Sequence, residues 1–408
     1  MRAAGGRYRN IGNQMHETNP IAPTPAQVIA RARALTPVLA ERAAAGEEAR
    51  RLPEETIADM QAGGFFRVLQ PRRWGGYEMD MATYWEVQLA LAQGDMSVGW
   101  VYGVVGVHPW LMALMDDRAA HEVWGEDDAT LVSSSLMPAG AVTRVPGGFR
   151  LSGRWKFSSG CEHCQWAFLG VSTSLDADQP PDRCVLLVPR RDYQIIDTWH
   201  VAGLKATGSH DIVVTAAFVP AHRVLQFFDA FRGQSPGLAI NSSLLYRLPF
   251  GQILVRGVST AALGALQGML DAFLRYDGAR VSRGRTADDP VAQLACAQAA
   301  AAIDEMKTIL LRDFRHLAEY AGRGELPPLA LRLEYKFHSA LVAERCSNLA
   351  AGLFRATGGA GIYADQPFGR MLADLNAGRQ HISNQFEQVG RAFAAVLLGG
   401  EPGKDLML

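Results

Sequence analysis

An excess of charge of one sign is missing from this chain. Its 408 residues carry 40 Lys and Arg against 41 Asp and Glu, a formal net charge of −1, and no basic run stands out. That argues against a nucleic-acid partner, because phosphate binding needs clustered Lys and Arg. Long apolar runs are missing as well: no uninterrupted segment reads as long enough to span a bilayer, so no membrane partner is expected. The opening MRAAGGRYRNIGNQ has no apolar h-region and reads as a frayed tail, not a secretory signal. Cysteine is scarce and odd in number: Cys161, Cys164, Cys184, Cys296 and Cys346. No disulfide framework is implied, and a reducing cytoplasm fits.

Common nucleotide and nucleophile signatures are absent too. No G-x-G-x-x-G stands between a strand and a helix, since Gly358-Gly359-Ala360-Gly361 has helical surroundings. A nicotinamide site of the doubly wound kind is therefore not expected. There is no glycine-rich phosphate loop ending in Lys-Ser or Lys-Thr, and no G-x-S-x-G. Cys161-Glu162-His163-Cys164 is metal-like, but a structural zinc site wants a second such pair. A redox dithiol would sit near a βαβ pattern, which is lacking here. Buried structural thiols are the plainer reading.

What is present falls into three segments. The first third reads helical. Thr24-Pro25 is an N-cap and N1 pair, followed by Val28, Ala32, Leu35 and Leu39 at helical spacing. Pro37 is expected to kink or restart that helix. Pro53 opens another helix, with Glu54 and Glu55 in its first turn and Gly63 to stop it. An apolar stretch runs from Met81 to Met115. The middle third holds short β-branched and aromatic runs: TLVSSSL, GFRLSGRWKFSSG, QWAFLGVST, RCVLLVP and HDIVVTAAFVP. Pro146-Gly147-Gly148 signals a hairpin, and DADQPPD a loop. Beyond about Ile240 long helices return, broken at GRGELPP. Segregated helices and strands predict an α+β, mainly α, fold and not a βαβ alternation.

Three stretches carry a resemblance: GRWKFSSGCEHCQW; DTWHVAGLKATGSHDIVV with the Phe218–Pro220 FVP; and FRATGGAGIYADQPFGRMLADLNAGRQHISNQ. Together, in this order, they resemble the oxygenase component of two-component, reduced-flavin-dependent aromatic hydroxylases. The 4-hydroxyphenylacetate and steroid-ring phenol hydroxylases are examples of that group, which shares the acyl-CoA dehydrogenase fold. Beyond the flexible tail (1–23), the resemblance implies an N-terminal helical domain (24–128), a central β domain (129–236) and a C-terminal four-helix bundle (237–408). It also implies a homotetramer. The cofactor would be reduced FMN (FMNH2) or reduced FAD (FADH2), with O2 as co-substrate. A separate NAD(P)H-dependent flavin reductase would supply it. The activity implied is hydroxylation of a small aromatic substrate, phenolic, indolic or polycyclic, through a flavin C4a-hydroperoxide.

The same resemblance assigns residues. Phe157 falls where an aromatic packs on the flavin ring, and Ser159 where a hydroxyl meets its N5/C4a edge. A hydroxyl near N5 in a dry pocket would slow wasteful release of H2O2. One serine of Ser133, Ser134 and Ser135 contacts flavin, with Ser134 preferred and Ser135 kept; Ser158, Gly358 and Gly359 join the cofactor set. Arg280 matches an arginine that holds cofactor phosphate across a subunit interface, although Arg283 replaces an aromatic of that pattern. His108 is placed beside the aromatic substrate, where neutral imidazole can accept the phenol proton, with Trp110 walling the pocket. His381 faces the flavin from the C-terminal bundle. Dehydrogenases of this fold need a carboxylate base, often in a Tyr-Glu-Gly-Thr run. Here Ile382 stands in the place of that glutamate. Rival readings are such a dehydrogenase, an N- or S-oxygenating relative, and a flavin-binding scaffold without catalysis.

Overall fold

The computed structural model describes residues 22–173, 182–276 and 288–403. The expected tail lies mostly outside that range, as do most of the DADQPPD loop, Arg280 and Arg283. The chain opens with helices α1 (Pro25–Ala49), α2 (Glu54–Ala62), α3 (Met81–Gly94), α4 (Met96–Val105), α5 (His108–Met112) and α6 (Asp117–Trp124). Eight strands follow: β1 (Val132–Ser135), β2 (Ala141–Val145), β3 (Gly148–Ser158), β4 (Trp166–Thr173), β5 (Asp182–Pro189), β6 (Gln194–Ile196), β7 (His210–Pro220) and β8 (Val224–Gln226). Helices then return as α7 (Phe227–Phe231), α8 (Phe250–Ile253), α9 (Arg256–Arg275), α10 (Pro290–Gly322), α11 (Leu329–Thr357), α12 (Phe368–Arg379) and α13 (Phe386–Leu397).

Thr24 and Gln27 close a reciprocal capping box on α1, behind Pro25 at the first position. The helix then runs unbroken through Pro37, against the expected kink or restart. Pro37 is exposed, as is Arg33 four residues earlier, whose carbonyl loses its partner. Water can satisfy that carbonyl, while buried Val28, Ala32, Leu39 and Ala43 hold both halves on one apolar face. The Met81–Met115 stretch is three helices. Asp95 ends α3 and caps α4, accepting from Ser97 N at 2.8 Å.

The strands make two four-stranded sheets, ordered β1-β4-β5-β8 and β2-β3-β7-β6. β1 runs parallel to β4, and the other pairings are antiparallel. Their facing sides bury Leu151, Trp155, Leu169, Val188 and Ile212. Gly147 turns the expected β2–β3 hairpin at φ +79°. Partway along β3 the register against β7 slips between Trp155 and Ser158. The break between α10 and α11 falls at the expected GRGELPP.

The segment Phe250–Arg275 is long and apolar enough to cross a membrane, which differs from the expectation of no such segment. Of its most apolar window, 89% is buried inside the protein, against α3, α10 and α11, so it is a core helix. It even carries a buried charge. Arg256 donates to Tyr335 O at 2.8 Å and meets Asp313 at 3.3 Å, and Arg312 and His338 complete the shell of Asp313.

Candidate active site

The β3 slip produces the most conspicuous surface feature. Phe157 sits in the left-handed region at φ +64° with 67% of its surface exposed. A bulky residue rarely adopts that backbone, and a bulge re-aims a side chain. Here it lifts an aromatic ring out of the sheet. The ring meets Trp199 edge-on, with centroids 6.1 Å apart at 89°.

Ser159 follows on the bulge and is buried. Trp100, on α4, donates to its hydroxyl at 3.2 Å. On the other side Ser159 Oγ lies 2.7 Å from Ser209 Oγ, and Ser209 Oγ lies 2.6 Å from Thr207 Oγ1. Gly160, at φ +67°, leaves no room for a side chain: a Cβ there would meet Val101 at 2.8 Å. His381 packs edge-on against Trp100, ring centroids 5.6 Å apart. Its Nδ1 accepts from Ser383 N at 3.1 Å, so the neutral ring carries its proton on Nε2. Burial pushes its pKa down to about 4. The cluster thus presents an exposed phenyl ring, a buried hydroxyl and an imidazole N–H.

Loop 197–209 delivers Trp199, Thr207 and Ser209, and it is tied to all three segments. Arg50 forks onto Asp197 at 2.6 and 2.7 Å, and Lys205 pairs with Glu47 at 2.8 Å. Asp374 on α12 accepts from Leu204 N at 2.6 Å. Leu204 itself is left-handed at φ +56°, a conformation that survives because its neighbours over-determine it. Its carbonyl takes Trp199 Nε1 at 2.9 Å and Thr207 Oγ1 at 2.8 Å.

The serines of β1 divide by face. Ser133 donates to Trp166 O and receives Ser158 Oγ, while Ser135 donates to Lys156 O. Ser134 points to the opposite face and is partly exposed. Ser158 is wholly buried and braces β1 with its hydroxyl. Gly358, at φ +67°, and Gly359 lie in the open turn between α11 and α12, with no atom near where a side chain would start.

His108 stands apart. Its Nδ1–H donates to Val132 O and its ring packs edge-on against Phe168 at 5.4 Å. Burial pushes its pKa down to about 4, so the ring is neutral, with Nε2 as acceptor. It lines a cavity with Phe66, Gln70, Val105 and Trp124, beside the Arg67–Asp128 ion pair. No described contact joins it to Ser159 or His381; what connects them is α4 and the backbone of β1. Trp110 belongs to the core: fully buried, it donates to Leu245 O at 2.8 Å and leans on Phe250. Both Cys161 and Cys164 are buried free thiols, and burial raises the pKa of each, Cys161 to about 12. Sequence reasoning missed Trp100, Trp199, Thr207, Ser209 and Asp374. ATGSH within the second quoted stretch was the available signal for two of them.

Two helical segments around a β segment of two packed sheets give the order of the acyl-CoA dehydrogenase fold. Residues 28–117 match the family described as acyl-CoA dehydrogenase, N-terminal domain, and residues 256–386 its C-terminal domain. The chain belongs to the family of flavin-dependent monooxygenase oxygenase subunits. It is 36% identical to the flavin-dependent monooxygenase oxygenase subunit HsaA of Mycobacterium tuberculosis, over 91% of this chain and 95% of that one. It is 34% identical to the FADH(2)-dependent resorcinol hydroxylase oxygenase component of a Rhizobium species, over 93% and 98%. The crystal structure of the M. tuberculosis HsaA monooxygenase superposes with a TM-score of 0.88 at 35% identity, covering 95% of this chain and 100% of that one. XiaF from a Streptomyces species, solved with FADH2 and glycerol, gives 0.85 at 26% identity, covering 93% and 97%.

Proposed function

We propose that the chain hydroxylates a phenolic substrate, with indolic or polycyclic aromatics as the next class. The protruding, strained Phe157 carries this reading, because an apolar ring lifted into the open beside a buried hydroxyl suits a planar cofactor. Reduced flavin supplies the electron pair that activates O2. Phe157 and Trp199 offer apolar contact to the flavin ring, and Ser134 a hydroxyl from β1. Ser159 would offer an acceptor toward N5 of the bound flavin. His381 presents Nε2–H as a donor toward oxygen. His108 offers Nε2 to a phenol hydrogen, which enriches the ring carbon beside the oxygen. Its lowered pKa keeps it in the acceptor form at neutral pH.

The names of the relatives, subunit and component, support a separate reductase, for which we propose NAD(P)H as donor. We propose a homotetramer in which subunit contacts cover exposed Leu274, Leu294, Ile362 and Tyr363 on the C-terminal helices and their connecting turn. The free thiols support a cytoplasmic location, and we place the domain boundaries at 128/129 and 236/237.

Purified protein with flavin, NADH and a phenol is expected to be inert until a flavin reductase is added. It should then form hydroxylated product in proportion to NADH consumed. NADH oxidation by this chain alone would overturn the two-component reading. Anaerobic bleaching of bound oxidised flavin by an acyl-CoA would favour a dehydrogenase, despite Ile382 at the position of the base.

A further inference from the structure

The hydroxyl chain behind Ser159 has only one consistent direction. A carbonyl cannot donate, so the hydrogen in the 2.8 Å contact between Thr207 Oγ1 and Leu204 O belongs to Thr207. That hydrogen is spent. The 2.6 Å contact between Thr207 and Ser209 must then use the hydrogen of Ser209. The 2.7 Å contact between Ser209 and Ser159 must in turn use that of Ser159. An indole N–H only donates, so Trp100 fixes Ser159 as acceptor on its other side. Ser159 therefore has no hydrogen left and one lone pair to offer. Thr207, Ser209 and Ser159 are all buried, so water does not readily reset the direction.

We propose that Thr207 and Ser209 are positioning residues that make Ser159 an obligate acceptor and so select reduced over oxidised flavin. Reduced flavin carries a hydrogen on N5 and can donate to Ser159. Oxidised flavin carries a lone pair there and would face another lone pair. The discrimination then lies in a hydrogen-bond direction set two residues behind the cofactor. It is anchored at the strained Leu204, whose N–H is held by Asp374. The inference rests on the reading that the N5 edge of flavin lies at Ser159.

The test is anaerobic titration of the flavin-free protein with FMN and FAD, oxidised and dithionite-reduced, giving a ratio of dissociation constants. Wild type should favour the reduced form. Thr207→Val removes the acceptor of Ser209, which frees that hydrogen for Ser159 and the hydrogen of Ser159 for N5. The preference should fall by roughly tenfold, the weight of about one hydrogen bond. Ser209→Ala should lower it in the same direction. Thr207→Ser keeps the hydroxyl and should keep the ratio, which separates direction from packing. Equal weakening of both redox forms in Thr207→Val and Ser209→Ala would overturn the proposal and leave only a structural role. If Ser159→Ala changes neither affinity, the flavin does not sit at Ser159, and the site reading fails instead.

Discussion

Asp374 is a buried carboxyl that does one visible job, holding Leu204 N, and replacing it by Asn tests what its charge costs. Burial, followed by the nearby Asp95 carboxyl, raises its pKa from 3.8 to about 7. A tenfold change in proton affinity is worth about 1.4 kcal/mol, so the charged form costs up to about 4 kcal/mol if Asp374 acts alone. Asp95 is raised to about 6. That shift of Asp95 comes mainly from its own burial; with relaxation around the charge, about half of the upper figure, about 2 kcal/mol, is expected for Asp374. The folded protein holds the proton more tightly than the unfolded chain does. The contribution of Asp374 to stability is therefore greatest below about pH 4, falls as pH rises towards 7, and levels off above. Asp374→Asn keeps the oxygen that accepts from Leu204 and removes the charge. At pH 8.5 the variant should melt higher than wild type; near pH 4.5 the two should nearly coincide. With 408 residues and unfolding entropy near 2.1 cal/mol/K per residue, about 2 kcal/mol raises Tm by roughly 2 °C. The assay is a thermal melt of flavin-free protein at both pH values. A Tm difference independent of pH, or a variant less stable at pH 8.5, would refute the reasoning.

Asp313→Ala strands Arg256 without its carboxylate inside the bundle; a loss of about 3–5 kcal/mol is expected on denaturant unfolding. Gly160→Ala must hold a side chain at φ +67° against Val101; it should cost about 1–3 kcal/mol and weaken flavin binding, measured by a melt and a titration. Ser159→Ala should raise the share of reduced flavin that ends as H2O2 by up to roughly tenfold, with substrate present. His108→Ala should leave substrate-free H2O2 release unchanged and lower product yield or substrate affinity. Quantifying peroxide and product in parallel separates the two.

Sequence alone was enough for the order of segments. Thr24-Pro25, Pro53, Pro146-Gly147 and GRGELPP each act on their own few residues, through a cap, a fixed φ or a turn. Such punctuation is local and therefore legible. The quoted stretches likewise pointed to flavin chemistry, because a chain keeps its motifs in linear order. Pro37 escaped that reading because its cost depends on whether water reaches one freed carbonyl. The apolar Phe250–Arg275 escaped it because a core helix and a membrane span look alike until neighbours are known. Ser158 and Ser159 are adjacent and chemically identical, yet one braces β1 and the other meets Trp100 and Ser209. Strand alternation and a one-residue bulge decide which is which. Most of all, the Ser159–Ser209–Thr207–Leu204–Asp374 line joins residues up to 215 positions apart. The direction of its hydrogens follows from a carbonyl that cannot donate. Only the packed structure brings that local turn against Ser159 and Asp374.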